Sequence, residues 1–314
     1  MMDVQLSETD TQKDTTAAPG SLGAHVGALV EGRLQKLTRS LRAACAERSV
    51  DAIHDLRVAS RRLRAFGVTF QDVLESKSQE RLHQSLRSVA KAVGSLRDRD
   101  VQIGLIAARA EQPSSELERA GADYLLEQLD SQRARSDKRA RKRLRRLDVE
   151  SVSRHVRRAA RDVLEQFLPS AGQRVYAHAL LDRLVRDAAL QMPMDLDSER
   201  SEALHRLRLD IKQLRYALEL FEPLLGTHFD ALNERATALQ DTLGTHRDLF
   251  VLGEALGAER ADLAGRGRHG LAACVGAVDE ALAAERRAVF ERFRQQGFDP
   301  KWWHQTLALA FGAS

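Results

Sequence analysis

His54-Asp-Leu-Arg57-Val-Ala-Ser-Arg61-Arg62-Leu-Arg64 returns 151 residues later as His205-Arg-Leu-Arg208-Leu-Asp-Ile-Lys212-Gln-Leu-Arg215. Phe70 is answered by Phe221 and Leu74 by Leu225 in the same register, so the echo extends well past the basic residues. A second echo pairs Gly94-Ser-Leu-Arg97-Asp98 with Gly244-Thr-His-Arg247-Asp248, 150 positions on. The chain therefore reads as two homologous halves, each placing a histidine and three cations at one spacing.

On a helix, at about 100° per residue, His54, Arg57, Arg61 and Arg64 share an arc of about 80°. They form one cationic stripe. Leu56, Ala59, Leu63, Phe66, Phe70, Val73 and Leu74 fall on the opposite side, a face suited to a core. The second copy sets Leu207, Leu214, Leu218, Phe221 and Leu225 against His205, Arg208, Lys212 and Arg215. Like charges at i, i+3 and i+4 destabilise an isolated helix by about 0.2–0.5 kcal/mol per pair, so the stripe needs a reason. An anionic partner supplies one.

The bulk composition agrees with a helical reading. The 314 residues are 43% hydrophobic and only 5% aromatic, with six prolines. Ala, Leu, Arg and Glu abound, and no strand pattern of any length is visible, which predicts an all-α protein. Length suggests about two domains, the division the duplication makes. Helices are expected near 23–47, 50–76, 79–111 and 114–166, the last containing a bend. After a break at Pro169-Ser-Ala-Gly172 they resume near 173–191, 199–225, 227–257 and 260–296, with a short closing helix from Pro300. Asp299 caps that helix, and Asp197 or Ser198 caps the second basic helix. The expected organisation is a polar, disordered tail over 1–22, a four-helix half over 23–168 and a second over 172–314.

Charge is concentrated more than the formal net of +4 suggests. Between Ser131 and Arg161 stand thirteen Lys or Arg against three acids. Two readings remain for this run, a solvated helix face and an electrostatic footprint for a polyanion. Arg139, Arg143 and Arg146 share one side and could extend a cationic lining. Cys45 and Cys274 have no partner spacing, so neither a disulfide framework nor a metal site is indicated. No apolar run approaches the ~20 residues of a membrane-spanning helix, and the start is polar, which makes a cytoplasmic protein the expectation.

The pattern His-x-x-Arg-Val-x-x-Arg-Arg-x-Arg, repeated as His-x-x-Arg-x-x-x-Lys-x-x-Arg-Tyr and followed in each half by Gly-x-x-Arg-Asp, resembles the CHAD family, the conserved histidine α-helical domain. The resemblance spans nearly the whole chain from about residue 23. It implies two four-helix bundles related by pseudo-twofold symmetry, with the basic helices lining a central cavity. It also implies binding of inorganic polyphosphate and, as in some members, association with polyphosphate or polyhydroxyalkanoate granules. Many members carry a fused triphosphate-tunnel domain of the CYTH type. Its Glu-x-Glu-x-Lys signature is missing near the start, which argues against enzyme activity.

The polyphosphate-binding residues expected are therefore His54, Arg57, Arg61, Arg64, His205, Arg208, Lys212 and Arg215. Arg62, Arg97, Arg139, Arg143, Arg146 and Arg247 are possible additions, Arg62 on the family pattern alone because it lies off the stripe. No cofactor and no metal are expected. Each histidine reads either as a phosphate donor, protonated beside the ligand, or as a buried residue that orients its helix. Asp98 and Asp248 either hold the bundle's own cations in place or belong to the site. Glu219 falls on the second stripe within reach of Arg215, so the halves can contribute unequally.

Three competing functions use the same residues. A phosphotransfer histidine would not need two copies with three further cations each. A His-Asp phosphohydrolase fails because the second copy reads His205-Arg206 and no ligand set accompanies it. Nucleic-acid binding is the serious alternative, although Tyr216 is the only aromatic near either stripe, leaving few stacking platforms.

Overall fold

A computed structural model describes residues 21–167, 172–192 and 201–312. The tail over 1–20, the Pro169 break and the proposed caps Asp197 and Ser198 lie outside the described residues. Among the described residues, ten α-helices follow in chain order: α1 (Leu22–Ala46), α2 (Val50–Thr69), α3 (Ser76–Glu111), α4 (Glu116–Leu144), α5 (Val149–Gln166), α6 (Gln173–Leu190), α7 (Ser201–Leu225), α8 (Phe229–Gly265), α9 (His269–Gln296) and α10 (Pro300–Phe311). No strand occurs among the described residues, as composition predicted.

The helix starts are set by local chemistry. Ser21, Ser49 and Ser115 each accept from the backbone N–H three residues on, at 3.2, 3.2 and 3.1 Å. Asp299 accepts from the Lys301 N–H at 3.0 Å with Pro300 in the first turn, as the sequence suggested. The bend expected within 114–166 is a full break. The helix ends after Leu144, and Asp148 accepts from the Ser151 N–H at 2.9 Å to start α5. Residues 22–166 thus form five helices, correcting the expected four. The starts of α1, α2 and α5, at 22, 50 and 149, recur in α6, α7 and α10 at 173, 201 and 300, each 151 positions later.

Two apolar cores hold the helices, and each draws on both halves of the sequence. One joins α1, α2, α5, α6, α7 and α10 with the facing turns of α3 and α8. The other joins Ile106 and the Leu125 face of α4 to Leu249, Leu252, Val275 and Val278 of α8 and α9. Phe70 and Phe221, the paired positions of the repeat, meet edge-on at 5.8 Å between centroids. Beside them Gln213 donates to the Thr69 hydroxyl at 3.1 Å, and the Tyr176 hydroxyl donates to the Thr69 carbonyl at 2.8 Å. These contacts fix α2 against α7, so the two stripes face a common space.

Helices α4 and α9 approach closely at Gly121. A Cβ there would lie 2.3 Å from the Cys274 carbonyl oxygen and 2.6 Å from its carbon, both backbone atoms that cannot swing aside. Gly121→Ala should therefore part α4 from α9 and lower stability by about 1–3 kcal/mol, the usual cost of overpacking. Chemical unfolding followed by circular dichroism measures it; an unchanged midpoint would show that the two helices can separate without cost.

Candidate anion-binding site

The stripe predicted on α2 is partly exposed while its other face is buried. Ile53, Leu56, Leu63, Phe66 and Phe70 are 0% exposed, and Leu207, Ile211, Leu214, Leu218 and Phe221 do the same for α7. Burial of those faces turns Arg57, Arg61 and Arg64 of α2 toward Arg208 and Lys212 of α7. With His83 of α3 they line a pocket of about 470 Å³ whose wall contains no carboxylate. Ser60, Gln213 and the fully buried Tyr216 complete its polar lining.

The site is electrostatically unfinished. Burial first, then Arg208, Arg61, Arg64 and Arg57, push the Lys212 ammonium down to about 8. Burial also lowers Arg57 and Arg208, with Asp98 and Asp248 opposing on Arg57 and Asp248 opposing on Arg208. Arg61 Nε, Arg208 Nε, His205 Nδ1 and the Tyr216 hydroxyl are buried without a hydrogen-bond partner. Most of these are donors, which is what an acceptor-only anion satisfies.

The second motif folds back onto the first. His54 lies largely open at its surface, yet desolvation by the surrounding protein, then Arg97 and Arg61, lowers its ring below the usual histidine range. Desolvation, then Arg247, Arg208 and Lys212, do the same to His205. Arg97 and Arg247 thus flank the histidine of their own half, and Asp98 and Asp248 lie near enough to Arg57 and Arg208 to act on their charge. Gly94 leaves room for this: a Cβ would stand 3.4 Å from Arg57 Nη1, whereas Gly244 has open space.

Several expected residues lie elsewhere. Arg215 is drawn away by Glu219 at 3.0 Å, by Gln240 at 3.0 Å and by the Tyr216 ring at 4.7 Å, and does not line the pocket. Arg62 pairs with the same Glu219 at 3.6 Å. Arg139, Arg143 and Arg146 are exposed on α4 and the turn after it, with Arg143 donating to the Lys91 carbonyl at 2.9 Å. Sequence reading passed over His83 and gave Tyr216 no role in the site, because neither stands out by spacing. It also passed over Arg33, which is 6% exposed and bonds Glu219 from α1. Its signal was a cation at a core position between Val30 and Leu37.

A family model for the CHAD domain matches residues 28–257. Two proteins of Mycobacterium tuberculosis, each described as uncharacterized, are 27% identical over 258 residues, covering 75% of this chain and 50% of their own. The chain spans about half the length of these curated relatives. Among solved structures, the CHAD domain from the plant Ricinus communis aligns with TM-score 0.57 and 22% identity over 91% of each chain. PptA from Streptomyces chartreusis aligns with TM-score 0.63 and 20% identity over 91% of this chain and 99% of that one. Both share the fold. No described helix is long and apolar enough to cross a membrane.

Proposed function

The chain belongs to the CHAD family, and on that premise we propose that it binds inorganic polyphosphate, without catalysis, in the pocket between α2 and α7. The observation that carries the reading is five cations in one pocket with no carboxylate among its lining residues, and Lys212 held down to about 8 by burial and then by four arginines. Polyphosphate is a thin chain with about one negative charge per unit, and the pocket's cations on α2, Arg57 to Arg64, span about 10 Å of helix, room for several units. Arginine grips phosphate oxygens two at a time, while Lys212 acts as a point charge. Recurring helix starts and the Phe70–Phe221 contact favour two homologous bundles about a pseudo-twofold axis, with residues 23–168 and 172–314 as halves of one domain. Association with polyphosphate or polyhydroxyalkanoate granules belongs to the same proposal, as does a cytoplasmic location.

Nucleic acid is the competing ligand. Tyr216, the aromatic closest to the stripes, is 0% exposed and offers no stacking face. The test titrates long-chain polyphosphate against single-stranded and duplex nucleic acid of equal charge, at low and near-physiological salt. Polyphosphate binding that survives salt, with nucleic acid lost, is expected; equal binding that collapses with salt reduces the site to an undirected basic surface. The bound anion raises the Lys212 ammonium above its ligand-free value of about 8. Binding is therefore at full strength below about pH 8 and weakens as pH rises through and above it. A pH-independent affinity over that window would remove Lys212 from the contact.

A further inference from the structure

We propose that the groove between α1 and α5 is a second anion site, separate from the α2/α7 pocket, for a triphosphate-sized phosphoanhydride chain, free or carried on a nucleoside. The groove encloses about 780 Å³, in the range of small-molecule sites, over a floor that includes Leu34 and Val149. Six arginines line it, Arg39 and Arg42 from α1 with Arg154, Arg157, Arg158 and Arg161 from α5, against Glu31 and Glu150. Glu31 is occupied, accepting from Arg157 at 2.9 and 3.2 Å. Arg158 pairs with the buried Asp162 at 2.9 Å. Among the described residues no carboxylate forms an ion pair with Arg39, Arg42, Arg154 or Arg161. Glu150 sits in the first turn of α5, where the helix dipole already favours it.

The arrangement is costly unless it has a use. Arg154, Arg157, Arg158 and Arg161 follow i, i+3, i+4 and i+7, one face of a helix, and repel each other there. The fold does not require them. At the positions 151 residues on from Arg39, Arg42, Arg154, Arg157, Arg158 and Arg161 stand Leu190, Pro193, Gln305, Ala308, Leu309 and Gly312, none of them a cation. There α6 and α10 close on each other instead. His304 Nδ1 lies 2.6 Å from Asp182 Oδ1, and Arg174 reaches the Ala310 carbonyl at 3.3 Å with its guanidinium 5.5 Å from the Phe311 ring. Among the described residues, an open, arginine-lined groove is thus seen in the first half and not at the equivalent place in the second. From Arg154 to Arg161 the helix rises about 10 Å, the scale of three linked phosphates.

The test uses the full chain and inorganic tripolyphosphate, read by calorimetry, with adenosine triphosphate as a competitor to distinguish a free chain from a nucleoside-borne one. In a background of Arg57, Arg61, Arg208 and Lys212 all changed to Gln, one tripolyphosphate site should remain. Adding Arg39→Gln, Arg154→Gln and Arg161→Gln should weaken that site about a thousandfold. The corresponding Lys substitutions keep charge but lose the guanidinium fork, and should cost about tenfold with folding undisturbed. No tripolyphosphate binding in the first background at millimolar ligand, or unchanged binding after loss of the three groove arginines, overturns the proposal. Failure of the polyphosphate reading looks different: long-chain binding would be unchanged by the α2/α7 substitutions.

Discussion

Replacing Arg57, Arg61, Arg208 and Lys212 together by glutamine is expected to lower polyphosphate affinity by about ten-thousandfold. Each charge-assisted hydrogen bond contributes at least about 1.5 kcal/mol, and four of them amount to about 6 kcal/mol, or four decades in Kd. The fold should not suffer. These side chains line an open pocket, no carboxylate ion-pairs with them among the described residues, and burial first, then their mutual repulsion, already lowers Lys212 and Arg57. Removing it should leave the unliganded melting midpoint unchanged or raised. Pairwise losses should differ, because Arg57 and Arg61 of α2 are two guanidinium forks whereas α7 offers one, Arg208, beside the point charge of Lys212, its Arg215 being held by Glu219. The α2 pair should therefore cost more. Retained affinity with an intact helical spectrum would end the assignment of the pocket.

The two basic helices were legible because a helix writes its buried face into the sequence. Leu56, Leu63 and Phe66 follow the 3.6-residue period, and everything opposite them had to face outward or into a cavity. The pairing of Gly94 to Asp98 with Gly244 to Asp248 was legible as a repeat, but not that Arg97 and Arg247 would stand beside His54 and His205. That depends on α3 and α8 packing across α2 and α7, and one sequence carries no record of distance between helices. The break after Leu144 was written locally in Asp148-Val-Glu, a cap signal masked by the surrounding run of arginines. In that run, spacing alone could not separate solvated cations such as Arg139 from those lining a groove such as Arg154 and Arg161. The difference lies in what α1 brings opposite, Arg39 and Arg42 rather than water.

Glu219→Gln is expected to destabilise the protein by about 3–5 kcal/mol, the cost of breaking a buried ion pair by removing one partner. The carboxylate was legible in sequence as an i+4 partner of Arg215, a pairing of small value on an exposed helix. Its weight in the fold comes from two further cations. Arg33 of α1 donates to Oε2 and Arg62 of α2 lies 3.6 Å from Oε1, while Arg215 of α7 lies 3.0 Å from the same oxygen. One side chain thus ties three helices from both halves. The three arginines do not depend on it equally. Arg62 is 36% exposed at its side chain and can turn to solvent, and Arg215 keeps Gln240 and the Tyr216 ring. Arg33, at 5% side-chain exposure, has Nε and Nη1 without partners and keeps no carboxylate among the described residues once Glu219 is neutral. Arg33→Met in the Glu219→Gln background removes the stranded charge and should recover most of the loss, which a general packing defect at Glu219 would not allow. Urea midpoints of the single and double variants decide it. A single-variant change under about 1 kcal/mol would mean that Arg33 finds water, and that this ion cluster adds little to what holds the halves together.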